Sequence, residues 1–213
     1  MQRIKGVLFE PVGALAEFPS DQFLQIGARL YGRKKRSNPS GSRSYWHLLN
    51  LIETAGKAFD ESERQMVEAL EVQAVQASSP YEDVLPALSL LKEMGVELFL
   101  TSSLSNTATR HFLERFRFNE FFRTVCNRDN AGSVKAAPLA CAIAATALRP
   151  DEFIFLTDTL EGLKVGNLVG VNTVLMMNDP DEARRLARHN PAGIVSLHEL
   201  PDFIRIVAAE KRA

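Results

Sequence analysis

Short apolar runs alternate with longer stretches of helical spacing along most of the chain. Continuous apolar runs predict buried β-strands at 5–9, 96–101, 152–158 and 168–177, with weaker ones at 121–127 and from Gly193. Apolar residues three and four positions apart predict helices at 84–95, 106–116, 136–148, 179–189 and close to Val207. Buried strands that alternate with helices are typical of an α/β fold with a parallel sheet and helices on both faces.

The alternation is interrupted by a region in which only helical patterns occur. The predicted helices there are 20–32, 45–56 and 60–77. Asp60 and Glu63 have the spacing of a capping box, Gly56 is a predicted C-cap, and 33–44 reads as a flexible loop. This block predicts a helical cap domain, residues 16–80, inserted into an α/β core of residues 1–15 and 81–213.

Three of the predicted strands end at polar side chains. They stop at Glu10, Thr101 and Asp158, and Lys135 lies between the last two in the chain. Parallel strands present their carboxyl ends at one edge of the sheet, and ligands of open α/β sheets bind at that edge. We therefore expect these four side chains to surround one site beneath the cap.

Composition and charge narrow the classes of function. The 213 residues are 46% hydrophobic and 24% charged with a net charge of −1, which gives no basic excess for nucleic acid. The one basic cluster, 32–36, is expected to be a solvated linker. No apolar run approaches the roughly 18–20 residues that span a bilayer. Cys126 and Cys141 lack metal-ligand spacing, so we expect reduced thiols in a cytoplasmic protein.

Four motifs resemble those of the haloacid dehalogenase-like (HAD) hydrolase superfamily. The family's first motif is a strand followed by D-x-D-G-T-L/V, and the chain has "FEPVGAL" from Phe9. The second is a strand that ends in Thr or Ser, here Thr101 in "LFLTSS". The third is a lysine, here Lys135, and the fourth is G-D-S/T-x-x-D, here aligned at Asp158 in "FLTDTLEG". The resemblance covers almost the whole chain and implies a Rossmann-like core with a small helical cap.

The first and fourth motifs depart from the family pattern. Glu10 and Val12 stand at the positions of the two aspartates of the first motif. In the fourth, Thr157 replaces the glycine, and Gly162 stands where a second acid is common. Glu161, one residue earlier, is the acid that would substitute for it.

The resemblance implies a role for each matching residue. In the family, the first aspartate attacks the substrate to form a covalent intermediate, and the second protonates the leaving group and then activates water. Glu10 is thus the candidate nucleophile. The candidate phosphate-binding residues are Thr101, Ser102 and Lys135, and the candidate Mg²⁺ ligands are Glu10, Asp158 and the backbone carbonyl of Val12.

The substitutions weaken this chemistry. The extra methylene of Glu10 displaces its oxygens by about 1–1.5 Å, and an error of about 1 Å can cost on the order of a hundredfold in rate. Val12 cannot transfer a proton, which removes a contribution of typically about 10²–10⁴-fold. Two carboxylates and one carbonyl make a weak Mg²⁺ site. The structural alternatives are a salt bridge between Glu10 and Lys135, and a helix cap at Asp158.

Three functions stay open at the level of sequence. The substitutions favour a degenerate family member, a weak or inactive phosphatase that binds a small anionic molecule or a protein partner. The second is an active phosphatase or dehalogenase that uses Glu10 as nucleophile or metal ligand. The third is an interaction module that uses the cap helices and the 33–44 loop. We expect neither a nucleic-acid nor a membrane partner. The aromatic residues are expected to pack in the core or cap, or to form the interface of a homodimer.

Overall fold

Strands and helices alternate along the chain. A computed structural model describes residues 4–31, 41–55, 60–178, 184 and 192–210. The strands are β1 (Gly6–Phe9), β2 (Ala16–Glu17), β3 (Ser79–Pro80), β4 (Glu97–Thr101), β5 (Thr124–Cys126), β6 (Phe153–Thr157), β7 (Asn172–Met176) and β8 (Gly193–Ile194). The helices are α1 (Ser20–Tyr31), α2 (Gly41–Ala55), α3 (Glu61–Ala77), α4 (Val84–Glu93), α5 (Asn106–Phe116), α6 (Arg128–Ala131), α7 (Ala136–Ala144), α8 (Leu160–Val169) and α9 (Leu200–Glu210).

Six parallel strands form the main sheet, in the order β5-β4-β1-β6-β7-β8. β1 is central and pairs with β4 on one side and β6 on the other, so the three strands end level with one another. This arrangement confirms the predicted Rossmann-like α/β core. It also places the residues that follow β1, β4 and β6 at one edge of the sheet.

Side chains of the central strands alternate between two apolar layers. On β1, Val7 and Phe9 belong to one layer, whereas Leu8 belongs to the other, together with Leu139 of α7. The first layer continues into the cap, where it includes Trp46 of α2. Because both faces are covered, the strands are continuously apolar rather than alternating in sequence.

The helices α1, α2 and α3 lie between the short strands β2 and β3, which pair antiparallel. α1 packs on α2 and α3, and α3 also packs on α5 of the core. The predicted capping box at the start of α3 is confirmed. The Glu63 N–H donates to Asp60 Oδ1 at 2.8 Å, and the Asp60 N–H donates to Glu63 Oε2 at 3.0 Å.

Several predicted boundaries were wrong. α2 already begins at Gly41, so the end of the predicted 33–44 loop is helical. α7 ends at Ala144, four residues before the predicted end at 148. The helix expected after Asp158 had no predicted range; it is α8, which takes up the first residues of the predicted strand 168–177. Gly170 ends α8 at φ 84°, a left-handed conformation that glycine adopts without steric cost.

The expectation of reduced cysteines was also wrong. Cys126 at the end of β5 and Cys141 of α7 form a disulfide, with Cα atoms 6.1 Å apart. Their separation of fifteen residues in the sequence does not predict that they pair. The disulfide is possible because α7 packs directly on β5.

Some predictions fall outside the described residues. These are the C-cap at Gly56, the basic cluster 32–36 and, apart from Arg184, the helix at 179–189. Within the described part of the chain, no helix is long and apolar enough to cross a membrane.

Candidate active site

The sheet edge collects four polar residues. Because β1, β4 and β6 are in register, Glu10, Thr101 and Thr157 lie level with one another. Asp158 follows Thr157 directly, and its charge acts on Glu10. The strand topology therefore brings three of the four predicted site residues to one place.

Glu10 is a buried acid that has no ion pair with any described Lys, Arg or His side chain. It is 3% exposed, and Thr157 Oγ1 donates a hydrogen bond to Glu10 Oε2 at 3.3 Å. Burial and, to a lesser extent, the charge of Asp158 raise the pKa of Glu10 to about 8, although the Thr157 hydrogen bond acts in the opposite direction. The Glu10 carboxyl is therefore mostly protonated at neutral pH.

The loop after Glu10 turns tightly. The Ala16 N–H donates to the Pro11 carbonyl at 3.1 Å, and the Gly13 N–H donates to the Ala16 carbonyl at 2.9 Å. Gly13 has φ 81°, and a side chain there would collide with the carboxylate of Asp158. The Val12 side chain is 2% exposed and packs in the core, so no proton-transferring group stands at that position.

The two predicted hydroxyls of the second motif are both engaged within the protein. Thr101 Oγ1 donates to the Phe9 carbonyl at 3.3 Å, and Ser102 Oγ accepts from the Leu104 N–H at 3.1 Å. Both residues are buried. In this conformation the hydroxyls hold the sheet edge and the loop that follows it.

Two alternative roles in the fourth motif were wrong. Thr159, rather than Asp158, caps α8, because its Oγ1 accepts from the Gly162 N–H at 3.0 Å. Glu161 is exposed in the first turn of α8, whereas Glu10 is buried. It therefore does not replace the missing second acid.

Thr157 and Gly162 are coupled sterically. A Cβ at Gly162 would collide with the Thr157 hydroxyl and with its Cβ. The threonine that replaces the family's glycine thus occupies the space that a side chain at residue 162 would need. Two departures that look separate in the sequence are one packing arrangement.

The predicted pair between Glu10 and Lys135 was wrong. The Lys135 ammonium donates to Asn50 Oδ1 at 2.6 Å and forms an ion pair with Glu53 Oε2 at 2.5 Å, both on α2 of the cap. The Lys135 N–H donates to Ser103 Oγ at 2.8 Å, at a backbone φ of 61°. The lysine therefore has a fixed backbone beside the second motif and a side chain that reaches the cap.

A second ion pair between cap and core has no counterpart in the sequence analysis. Arg128 binds Glu71 of α3 through two nitrogens, at 2.6 and 3.1 Å, and Glu71 is 0% exposed. Glu71 Oε2 also accepts from the Ser105 N–H at 3.0 Å, and Arg128 donates to the Ser103 carbonyl at 3.3 Å. Burial alone would lower the pKa of Arg128, but Glu71 raises it overall.

The sequence did contain a signal for this pair. The buried face of α3 consists of Val67, Leu70, Glu71, Ala74 and Val75. An acid at the helical spacing of an apolar stripe requires a buried partner.

Tyr45 of α2 is buried within the cleft between cap and core. It is 2% exposed, and its ring centroid lies 4.9 Å from that of Phe23. Burial, followed by the charges of Glu71 and Glu10, raises the pKa of Tyr45 well above its usual value. The cap thus places a neutral phenol among the polar residues of the site.

The residues present fit Mg²⁺ poorly. In the described ranges, no three His, Cys, Asp or Glu side chains form a group that could hold a metal ion. Glu10 and Asp158 supply two carboxylates, and the burial that keeps Glu10 protonated disfavours its use as a ligand. Gly162, packed against Thr157, leaves no space for a third.

A cavity of about 560 Å³ lies between the cap and the core, and Glu10, Asp158 and Lys135 are not among the residues that line it. Ile52 and Glu53 line it from α2, Glu68 lines it from α3, and Ser133 and Val134 line it next to Lys135.

The chain is similar to known proteins over most of its length. A curated relative, ribulose-1,5-bisphosphate 5-phosphatase from Halopiger xanaduensis, is 26% identical over 196 residues, which are 86% of this chain and 81% of that protein. A predicted phosphatase from Clostridium acetobutylicum has a TM-score of 0.71 at 16% identity, with 95% of this chain and 98% of that chain covered. The L-2-haloacid dehalogenase of Xanthobacter autotrophicus has a TM-score of 0.61 at 17% identity, with 95% and 98% covered.

A family model gives the most specific match. The model described as haloacid dehalogenase-like hydrolase matches residues 35–176, which is most of the chain. The match begins after Glu10 and Val12, which stand at the positions of the two aspartates of the first motif. The sheet order, the inserted helices and this match agree: the chain belongs to the haloacid dehalogenase-like hydrolase family.

Proposed function

We propose that this protein is a degenerate member of its family, one that hydrolyses phosphate esters weakly or not at all and binds an anionic ligand or a protein partner through the old cleft. The observation that carries the proposal is the state of Glu10, a buried acid that lies beside a second acid and has no cationic partner among the residues that the structure describes. A covalent mechanism requires an ionised carboxylate that can approach the substrate.

The second step of the family reaction, the activation of water, also lacks a base at the position of Val12. Val12 is buried and apolar, and Tyr45 of the cap has a raised pKa and keeps its proton. Hydrolysis of a covalent intermediate requires a base that activates water, and neither group can act as one at neutral pH. Both halves of the family reaction therefore lack their acid–base group.

A weak metal site belongs to the same proposal. Glu10, Asp158 and the Val12 carbonyl are the groups that would hold Mg²⁺, and the ion would supply charge for binding a phosphoryl group. Because Glu10 would have to lose its proton first, Mg²⁺ binding should be weak and should strengthen as the pH rises.

Lys135 supports the binding half of the proposal. Its ammonium binds Glu53, which lines a cavity of about 560 Å³, and its backbone is bonded to Ser103, next to the two hydroxyls of the second motif. A positive group on a fixed backbone beside a cavity suits a small anion such as a phosphate monoester.

A phosphatase screen with Mg²⁺ tests the proposal. The wild-type protein should show no turnover above that of Glu10→Gln. The matched control is Glu161→Gln, which removes an exposed acid from a nearby loop–helix junction. Turnover that disappears in Glu10→Gln but persists in Glu161→Gln would contradict the proposal and establish an active hydrolase.

The relative from Halopiger xanaduensis favours that second candidate and determines the substrates to include. Its name specifies a phosphatase that acts on a sugar bisphosphate. The screen should therefore contain ribulose-1,5-bisphosphate and other sugar phosphates beside a chromogenic phosphate ester.

A further inference from the structure

Lys135, the cation that the proposed function assigns to an anionic ligand, is already bonded by the protein itself. Its Nζ lies 2.5 Å from Glu53 Oε2 and 2.6 Å from Asn50 Oδ1. Both partners are on α2, three residues apart, and therefore on one face of the helix. They are 82 and 85 positions away from Lys135 in the chain, so the contact joins cap to core.

We propose that Glu53, together with Asn50, acts as an internal ligand that occupies the Lys135 ammonium. An ammonium has three hydrogen-bond donors, and these two side chains engage two of them. The Glu53 carboxylate offers the negative charge and oxygen acceptors that a phosphate would offer. On the basis of the proposed function, the cap and an external anion compete for the same group.

The core side of this contact is fixed and the cap side can move. The Lys135 backbone is held at φ 61° by the hydrogen bond from its N–H to Ser103 Oγ, and its side chain is only 14% exposed. The Glu53 side chain is 51% exposed and can rotate into water. An anion can therefore displace Glu53 while Lys135 stays in place.

The second ion pair keeps the cap attached during this exchange. Glu71 is fully buried and bound twice by Arg128, so it does not compete for an entering ligand. Glu53, by contrast, lines a cavity of about 560 Å³ together with Val134, the residue before Lys135 in the chain. The two cap acids thus have different roles. Glu71 attaches the cap to the core, and Glu53 occupies the Lys135 ammonium.

Two variants of the full chain test this inference. Glu53→Ala removes the internal ligand, and Glu68→Ala removes another carboxylate that lines the same cavity. Two measurements are made on each: the rate at which acetic anhydride labels Lys135, followed by peptide mass spectrometry, and the Kd for inorganic phosphate by calorimetry.

Glu53→Ala should raise the labelling rate of Lys135 several-fold and lower the Kd for phosphate about fivefold, the fold-change that corresponds to a half-exposed ion pair. Glu68→Ala should change each by less than about twofold, because only the diffuse charge of the cavity is altered.

The two readouts separate this inference from the proposed function. An unchanged labelling rate in Glu53→Ala, or an equal rise in Glu68→Ala, would overturn the role of Glu53. Faster labelling without tighter phosphate binding would support Glu53 as the occupant of Lys135 and overturn the assignment of an anion to this site.

Discussion

The end of β1 and the middle of α3 each bury one glutamate, and the two carboxyl groups have opposite surroundings. Glu71 is bound by two nitrogens of Arg128 and by the Ser105 N–H. Glu10 has a single hydrogen bond, from Thr157, and a second acid beside it. The negative charge of Glu71 is balanced by Arg128. Glu10 has no such partner among the described residues and avoids a buried charge by keeping its proton.

This difference distinguishes an acid with a structural partner from an acid at the family's reactive position. A buried carboxylate with a bidentate partner joins two parts of a fold and costs much to disrupt. A carboxyl that is held neutral neither attacks a substrate nor binds a metal ion well. On the proposed function, the family's reactive position is held in this chain by a protonated acid, while the ion pair between Glu71 and Arg128 joins the cap to the core.

The largest expected effect is at Glu71. Glu71→Ala leaves Arg128 buried without its partner, so the free energy of unfolding should fall by about 3–5 kcal/mol. Glu68→Ala on the same helix is the matched control and should cost less than about 1 kcal/mol. Urea denaturation measures both, and equal losses would remove the contrast between the two buried acids.

The second effect is a pH dependence at Glu10. In the unfolded chain this carboxyl ionises near pH 4.5, whereas in the folded state its pKa is about 8. Between those values the folded state binds more protons, so its free energy of unfolding falls as the pH rises, by at most about 1.4 kcal/mol per pH unit. Above a pH of about 8 both states are ionised and the slope disappears.

Glu10→Gln cannot ionise and should lack this decline. The comparison consists of urea denaturation of wild type and Glu10→Gln from roughly pH 5 to 8 in the presence of EDTA. The two stability curves should lie close together near the low end of this range, where the folded states both carry a neutral side chain, and separate as the pH rises, with Glu10→Gln the more stable. Parallel curves would show that Glu10 has an ordinary pKa.

A third effect tests the coupling of Thr157 and Gly162. Gly162→Ala introduces a collision with Thr157 and should destabilise the fold by about 1–3 kcal/mol. The same change in a Thr157→Gly background lacks that collision and should cost less. A double-mutant cycle measures the difference, and a coupling energy near zero would contradict the packing argument.

The smallest effect concerns the hydrogen bond to Glu10. Thr157→Ser keeps the hydroxyl and Thr157→Ala removes it, so the difference between the two variants reports that bond. We expect the alanine variant to be less stable than the serine variant by about 0.5–1.5 kcal/mol. No difference in thermal unfolding would show that Thr157 does not stabilise Glu10.

Much of the fold could be predicted because local patterns determine it. Continuous apolar runs gave β1, β4 and β6, and the spacing of Asp60 and Glu63 gave the start of α3. The secondary structure that follows Asp158 was harder to predict. α8 contains Gly162 and Gly166, which weaken its helical signal and are explained by close contacts with Thr157 and Thr173.

The candidate site was predictable only where strand ends determine it. The register of three strands places Glu10, Thr101 and Asp158 together, but the direction of the Lys135 side chain depends on Asn50 and Glu53, more than eighty positions away. Such long-range pairs leave no local pattern. Glu71 is the exception, because an acid within an apolar helical stripe marks a buried partner.

Titration of the Glu10 carboxyl tests the central claim most directly. The carboxyl carbon of Glu10 can be followed by ¹³C NMR in EDTA and assigned by comparison with Glu10→Gln. We predict a midpoint at about pH 8, which means a protonated and unreactive acid at neutral pH. A midpoint near 4.5, the ordinary value for glutamate, would reveal an ionised carboxylate available as a nucleophile and would contradict the account.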